Sequence, residues 1–134
     1  MEQHTYGIMD EAEGSHWWFV GRRAILESFL RTICSRLKTQ DSRLSILDVG
    51  CGTGANLEML AKFGTAEGVD VSDDALEFCR RKGLKVQKGL AETLPCADNL
   101  FDLTTALDVI EHLDDDIAGL KEMHRVTKVG GYSL

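Results

Sequence analysis

The sequence contains one segment that determines most of its architecture, Ile46-Leu47-Asp48-Val49-Gly50-Cys51-Gly52-Thr53-Gly54-Ala55-Asn56-Leu57. An apolar strand leads through an acidic residue into a turn with three glycines, and a helix follows. Glycine has no Cβ, so Gly50, Gly52 and Gly54 let the backbone turn sharply and approach a ligand closely. The first N–H groups of the helix then face that ligand. The segment therefore predicts a site for a nucleotide-type cofactor.

Composition restricts the class of protein further. The chain has 134 residues, 43% of them hydrophobic, which is enough for one domain with a single core. Its formal charge of −7 argues against non-specific binding to nucleic acid or to an anionic membrane. No run of about 18 apolar residues is present, and residues 1–10 are polar without an apolar signal core. We therefore expect a soluble, cytoplasmic protein.

Neither the cysteines nor the acidic residues predict a metal site. The four cysteines are widely spaced with no C-x-x-C pair, which is typical of reduced thiols. No base lies near Cys51 in the sequence, so we do not expect it to act as a nucleophile. The acids around Asp115 suit the first turn of a helix, where the macrodipole favours negative charge, so we do not assign Glu111, His112, Asp114, Asp115 and Asp116 to a metal cluster.

Strands and helices are predicted to alternate along the chain. The apolar spacing of Val20, Ala24, Ile25, Phe29, Ile33 and Leu37 predicts a first helix, closed by the polar residues 38–43. Strands are predicted at 44–49, 66–71, 84–87 and 100–107, with a fifth entered at Tyr132. Helices are predicted at 56–63 with Gly64 as C-cap, from Ser72 to Gly83, and from Asp114 or Asp115 to Thr127. Such alternation indicates an α/β sandwich of three layers around a mostly parallel sheet.

Polar residues follow the predicted strands at the point where each ends. In parallel sheets, ligands bind beyond the carboxyl ends of the strands, where the strand order reverses. Residues at these ends are therefore expected to converge, and they are Asp48 and Gly50, Asp70, Ala91 and Glu92, and Asp108.

The glycine turn alone leaves two cofactors open. Gly50, Gly52 and Ala55 also satisfy the dinucleotide fingerprint G-x-G-x-x-G/A, with Asp70 about twenty residues further on as ribose ligand. A carboxylate at that position accepts hydrogen bonds from both ribose hydroxyls of any adenine nucleoside. An NAD(P)-dependent oxidoreductase therefore remains an alternative on this segment.

Further blocks resemble a known family. The chain is similar to the class I S-adenosylmethionine-dependent methyltransferases, most closely the small-molecule type, through six blocks in family order over about residues 44–131: residues 46–54, 68–72, 89–95, 101–102, 106–113 and 125–131. Thr127 and Val129 depart from that pattern, where Leu and Pro are usual. The resemblance implies a Rossmann-like fold and S-adenosyl-L-methionine as cofactor, with transfer of its methyl group to a small-molecule acceptor.

The resemblance also implies roles for individual residues. Asp48 would orient the turn and help to hold the ammonium end of the cofactor, Asp70 would bind its ribose, and Ala91 with Glu92 would bind adenine. The expected cofactor-binding residues are Asp48, Gly50, Cys51, Gly52, Gly54, Asp70, Val71, Ala91, Glu92 and Asp108. His112 is the candidate general base for an O–H or N–H acceptor, and a capping or packing histidine is the alternative.

The N-terminal part is expected to act as a lid. We expect residues 1–43 to form an N-terminal segment with a lid or packing helix, and residues 44–134 to form the cofactor-binding core. In the lid, Trp18 or Arg22 would meet the substrate or the cofactor carboxylate. Members of the resembled family continue through two further strands, so we expect a truncated chain with an exposed sheet edge that pairs into a homodimer. A non-catalytic cofactor-binding module is the remaining alternative.

Overall fold

The structure, a computed structural model, describes residues 3–37 and 43–134. The polar segment predicted to close the first helix therefore lies largely outside the described residues. The helices are α1 (Gln3–Ser15), α2 (Trp17–Arg36), α3 (Ala55–Leu60), α4 (Asp73–Arg81) and α5 (Asp116–Val126), with a 3₁₀ turn at Ile110–His112. The strands are β1 (Leu44–Val49), β2 (Gly64–Asp70), β3 (Val86–Lys88), β4 (Phe101–Thr105) and β5 (Thr127–Ser133).

The five strands form one parallel sheet in the order β3-β2-β1-β4-β5. Helices cover both faces: Leu30 of α2 and Leu60 of α3 pack on one, and Met123 and Val126 of α5 on the other. This arrangement confirms the predicted α/β class. The strand order reverses at β1, which has β2 on one side and β4 on the other, and this reversal opens a crevice at the carboxyl ends of those strands.

Two helices begin where the sequence predicted, each with a side-chain N-cap. The Ser72 hydroxyl accepts a hydrogen bond from the Ala75 N–H at 3.3 Å and begins α4, whose first turn carries Asp73 and Asp74. The Asp115 carboxylate accepts from the Ala118 N–H at 2.9 Å and begins α5.

The N-terminal helix and the start of β2 differ from the sequence-based prediction. Residues 3–15 form α1, although the polar start gave little apolar periodicity, and Tyr6 is the side chain that α1 buries. Gly64 was predicted as a helix C-cap but is the first residue of β2. Helix α3 ends earlier, at Leu60, so the chain enters the sheet sooner than the pattern indicated.

Two helices turn different faces to the core than predicted. In α2, Ile25 and Phe29 are 73% and 52% exposed, and the buried residues are Leu30 and Ile33. In α5, Ile117 and Leu120 have helical spacing with Met123 but are 56% and 49% exposed, while Met123, Val126 and Gly119 are buried. The apolar residues of both helices extend beyond one stripe, so periodicity alone did not identify the packed face.

The last strand begins earlier than the predicted entry at Tyr132. β5 starts at Thr127, directly after α5, and a register irregularity against β4 accommodates extra residues before Tyr132. Gly130 takes a φ of 83° within that irregularity. Among the described helices, none is both long and apolar enough to span a bilayer.

Gly64 is predicted to be sensitive to substitution because β1 approaches it closely. A Cβ at this position would collide with the Leu44 carbonyl oxygen and lie 2.9 Å from the carbonyl carbon. We expect Gly64→Ala to lower the free energy of unfolding by about 1–3 kcal/mol, measured by urea denaturation. The control is Gly21→Ala in α2, where a Cβ would meet nothing within 4 Å and should raise stability by about 0.5–1 kcal/mol. Equal effects of the two substitutions would contradict the packing argument.

Candidate functional site

A cavity of about 440 Å³ lies at the carboxyl ends of the central strands. Its volume falls in the usual range of small-molecule sites. Eight of the ten expected cofactor-binding residues line it, together with His112, and the eight are Gly50, Cys51, Gly52, Asp70, Val71, Ala91, Glu92 and Asp108. The topology therefore brings together residues that are up to about 60 positions apart in sequence.

The turn after β1 is fixed to the end of β2 by backbone and carboxylate hydrogen bonds. The N–H groups of Gly50 and Cys51 both donate to the Val69 carbonyl, at 2.7 and 3.1 Å. One oxygen of Asp70 accepts from the Gly52 N–H and the other from the Ser72 N–H, each at 2.9 Å. A carboxylate offers about four acceptor positions, so Asp70 retains capacity for two further donors from the cavity.

Glycine is required at the three positions of the turn for different physical reasons. All take positive φ values, of 71°, 53° and 95°. A Cβ on Gly50 would collide with Val109, and one on Gly54 would lie 2.6 Å from Leu84. A Cβ on Gly52 would meet nothing within 4 Å, although the residue lines the cavity. Gly52 is therefore the position where the backbone leaves room for a ligand, and the other two permit close packing of the protein.

Asp48 and Gly54 are not among the residues that line the cavity, and direct contact of either with a cofactor stays a prediction. Asp48 is 2% exposed and accepts a hydrogen bond from the Thr105 hydroxyl at 2.7 Å. Burial raises the pKa of the Asp48 carboxyl to about 7, against the lowering effect of Thr105, and the charges of Asp70 and Glu13 raise it further. The acid therefore links β1 to β4 through Thr105.

The segment with Ala91 and Glu92 is held by an ion pair on α5. The Glu122 carboxylate accepts from the Leu94 N–H at 2.7 Å, and Arg125 donates to the Leu94 and Cys96 carbonyls at 3.1 and 2.8 Å. Arg125 also pairs with Glu122 at 2.8 Å, which lowers the pKa of that carboxyl. The sequence analysis did not identify this clamp, because its partners are about 30 residues apart and meet only in the folded chain.

The N-terminal helices cover one side of the cavity. Arg22 of α2 lines it and forms an ion pair with Asp108, while Trp18, the other expected lid contact, is 56% exposed and does not line it. Glu13 of α1 accepts from the Thr53 hydroxyl at 2.9 Å. Four further lining residues of these two helices were also missed, namely Tyr6, Met9, Phe19 and Arg23. Phe19 and Arg23 flank the expected lid contact Arg22 in the sequence, whereas Tyr6 and Met9 carried no signal.

His112 lies at the rim of the cavity on the 3₁₀ turn after β4. Its side chain is 76% exposed, and its Nε2 lies 3.9 Å from a Glu111 oxygen. The walls carry four carboxylates, from Glu13, Asp70, Glu92 and Asp108, against the arginines Arg22 and Arg23. This balance favours a ligand with positive charge. Within the described parts of the chain, no three His, Cys, Asp or Glu side chains converge as metal ligands.

Comparison with known proteins identifies the family. The profile of the methyltransferase domain matches residues 47–134. A demethylmenaquinone methyltransferase of Chlorobaculum parvum is 38% identical over 90 residues, which cover 64% of this chain and 37% of the relative. A ubiquinone biosynthesis O-methyltransferase of Methylococcus capsulatus is 38% identical over 93 residues, which cover 63% of this chain and 39% of the relative. The chain thus spans less than half the length of these relatives.

Solved structures agree with this assignment. A SAM-dependent methyltransferase from Thermotoga maritima superposes with a TM-score of 0.67 and 31% identity, over 96% of this chain and 57% of that one. A structure from Methanococcus maripaludis gives a TM-score of 0.78 at 22% identity, over 98% and 62% of the two chains, which shows the shared fold. The chain belongs to the class I S-adenosylmethionine-dependent methyltransferases.

The residues of the cavity fit the cofactor of this class. Asp70 has acceptor capacity for two ribose hydroxyls, and Gly52 leaves space at the turn. The excess of carboxylates suits a sulfonium and an ammonium group. Membership of the family also removes the nicotinamide alternative that the glycine turn had left open.

The pKa of Asp48 predicts how stability depends on pH. An unfolded aspartate ionises near 3.9, so the unfolded state loses its proton first and the free energy of unfolding falls as the pH rises from about 4 to about 7. The difference between the two pKa values corresponds to roughly 4 kcal/mol. Asp48→Asn keeps an acceptor for Thr105 and should flatten this dependence in urea titrations. The exposed Asp114→Asn variant, as control, should keep the wild-type slope; a wild-type slope in Asp48→Asn would refute the assignment.

Proposed function

We propose that this chain binds S-adenosyl-L-methionine in the cavity and transfers its methyl group to a small-molecule acceptor. The bound cofactor supplies a methyl group activated by a sulfonium sulfur, and the transfer is an in-line displacement. The observation that carries the proposal is the position of Asp70, whose carboxylate fixes the glycine turn while it faces the cavity. A carboxylate held this way is oriented before any ligand arrives.

The proposed contacts divide along the cavity. Asp70 accepts hydrogen bonds from the ribose hydroxyls of the cofactor. The backbone of Gly50, Cys51 and Gly52 lies along its methionine part. Ala91, which is buried, and the half-buried Glu92 hold the adenine, with Val71 at the rim beside them. Asp108 lies near the reacting end, where its ion pair with Arg22 joins the core to the lid.

The main contribution of the chain to catalysis is orientation and the exclusion of water. Holding two reactants in line can supply roughly 7–11 kcal/mol of a barrier. Tyr6, Met9 and Phe19 line the cavity from the N-terminal helices and cover it with apolar surface. His112 takes the proton of an acceptor that carries O–H or N–H.

The N-terminal helices are proposed to contact the acceptor. Six lining residues, Tyr6, Met9, Glu13, Phe19, Arg22 and Arg23, precede the region that matches the family profile. The relatives share a cofactor class but are named for different acceptors, among them demethylmenaquinone and cycloartenol. A wall outside the shared region is therefore the part of the cavity that can vary with the acceptor.

A substitution at Gly52 tests the cofactor site. Gly52→Ala places a methyl group in the cavity, and we expect the affinity for S-adenosylmethionine, measured by calorimetry, to fall about tenfold or more. Gly83→Ala is a matched control, because Gly83 also has positive φ, 75°, with no atom within 4 Å of its Cβ and no place in the cavity wall. Both variants should lose a similar roughly 1–2 kcal/mol of stability. Unchanged affinity in Gly52→Ala would count against the proposed site.

A substitution at His112 tests the base and separates an enzyme from a non-catalytic binding module. With an acceptor that carries O–H or N–H, His112→Gln should lower kcat by about 10²–10⁴ without changing the affinity for the cofactor product S-adenosylhomocysteine. The exposed His124→Gln variant serves as control. A full kcat in His112→Gln would assign His112 to packing. Binding of S-adenosylmethionine without turnover of any acceptor would favour the binding module.

The outer strand β5 is proposed to pair with a second copy of the chain. β5 is the last strand in the sheet order, and Val129 in its irregularity is 99% exposed. Unpaired strand edges associate readily. Sedimentation velocity should therefore detect a dimer that grows with concentration, weakened by Val129→Lys and unaffected by the control Val20→Lys on α2. A monomer at every concentration would exclude this interface.

A further inference from the structure

Two cysteine thiols lie side by side beneath the glycine turn. Cys51 belongs to the turn and lines the cavity, while Cys79 is fully buried in the last turn of α4. Both pack in one apolar cluster with Leu57 and Leu76. The Cys79 thiol donates to the Gly52 carbonyl at 3.2 Å, which places its sulfur beside the residue that follows Cys51.

The surroundings of the pair divide the two thiols chemically. The neighbouring Cys51 thiol lowers the pKa of Cys79, and the charge of Lys82 lowers it further, against the opposing effect of burial. The neighbouring Cys79 thiol and burial raise the pKa of Cys51. Lys82 is held in place, since its ammonium donates to the Thr53 carbonyl at 2.9 Å and pairs with Asp10. Cys79 is therefore the better nucleophile, and Cys51 retains its proton.

We propose that Cys51 and Cys79 form a reversible disulfide when the protein meets a peroxide, and that this disulfide and the cofactor exclude each other. Only the second part, the mutual exclusion of disulfide and cofactor, rests on the proposed function. It gives the turn a second property, sensitivity to oxidants, which the family resemblance does not supply.

The reaction balances with hydrogen peroxide as the only oxidant. The Cys79 thiolate attacks one peroxide oxygen, so that an S–O bond forms, the O–O bond breaks and hydroxide leaves. The hydroxide takes the proton of Cys51, and the resulting thiolate attacks the Cys79 sulfur, which forms the S–S bond and releases the second oxygen as hydroxide. That hydroxide takes up the proton originally lost by Cys79. Two electrons thus pass from the thiols to the peroxide, which becomes two waters.

The disulfide is expected to disturb the part of the turn that faces the cavity. An S–S bond of about 2.05 Å is shorter than any hydrogen-bonded separation of two sulfurs, so the turn and α4 must approach each other. Cys79 then gives up the Gly52 carbonyl, while the Gly52 N–H is the group that Asp70 holds. Because Cys51 lines the cavity, a ligand there would also shield the pair from peroxide. By thermodynamic linkage, disulfide formation and ligand binding each disfavour the other.

The test treats the full chain with hydrogen peroxide, with and without S-adenosylhomocysteine. Non-reducing peptide mapping should find a peptide that links Cys51 to Cys79 with the loss of two hydrogens, and S-adenosylhomocysteine should slow its formation. Calorimetry should show at least a tenfold loss of affinity for S-adenosylhomocysteine in the oxidised protein. Dithiothreitol should restore both the mass and the affinity.

Matched variants distinguish this pair from general oxidation. Cys79→Ser keeps a hydroxyl for the Gly52 carbonyl and should keep its affinity after peroxide, with Cys79→Ala as a second variant should the first fail to fold. Cys34→Ser and Cys96→Ser change the remaining cysteines, whose pKa values are raised by burial, and should stay sensitive. Absence of the linked peptide, or equal affinity of the reduced and disulfide forms, would overturn the inference. Failure of the untreated chain to bind S-adenosylhomocysteine would instead reject the proposed function, because the linked peptide is detected without any ligand.

Discussion

The site depends on a single carboxylate that two backbone segments share. Asp70 accepts one hydrogen bond from the glycine turn after β1 and another from the start of α4. Bonds to an ionised acceptor are roughly twice as strong as those between neutral groups. Since β2 carries Asp70 and β1 carries the turn, the parallel register of these strands sets the distance that the carboxylate must bridge. The pairing of β1 with β2 therefore also determines the shape of the site.

The reversal of strand order explains why the cavity needs a cover from elsewhere in the chain. The loops that leave β1 and β4 diverge at the crevice, and the N-terminal helices close its open side. Their polar contacts to the core include Arg22 with Asp108, Glu13 with Thr53, Asp10 with Lys82 and Glu27 with Lys62. Ion pairs between partly exposed groups contribute about 0–1 kcal/mol each. The cover is thus held less firmly than the sheet beneath it, which suits a site that ligands must enter.

The sequence predicted the parallel sheet and most of the cavity for one physical reason. Residues at the carboxyl ends of parallel strands converge whatever their spacing, so Gly50, Asp70 and Asp108 could be grouped without knowledge of packing. Other features depend on tertiary contacts. Ile25 and Phe29 have helical spacing yet face solvent, because periodicity predicts a helix better than it predicts the packed face. The lining residues of α1 carried no signal, since their position depends on how two helices dock onto the core.

Asp48 illustrates how this geometry constrains the chemistry. Methyl transfer asks for alignment more than for acid or base groups, so rigidity of the turn matters most. A charged Asp48 beneath that turn would repel Asp70, and burial already disfavours its ionised form. With a pKa of about 7, the Asp48 carboxyl group is about half neutral at pH 7, and it accepts a hydrogen bond from Thr105. Burial of Asp48 lowers stability above that pH, yet the residue anchors β1 to β4 at the point where the strand order reverses. While Asp48 is neutral, Asp70 is the carboxylate whose negative charge a cationic ligand meets.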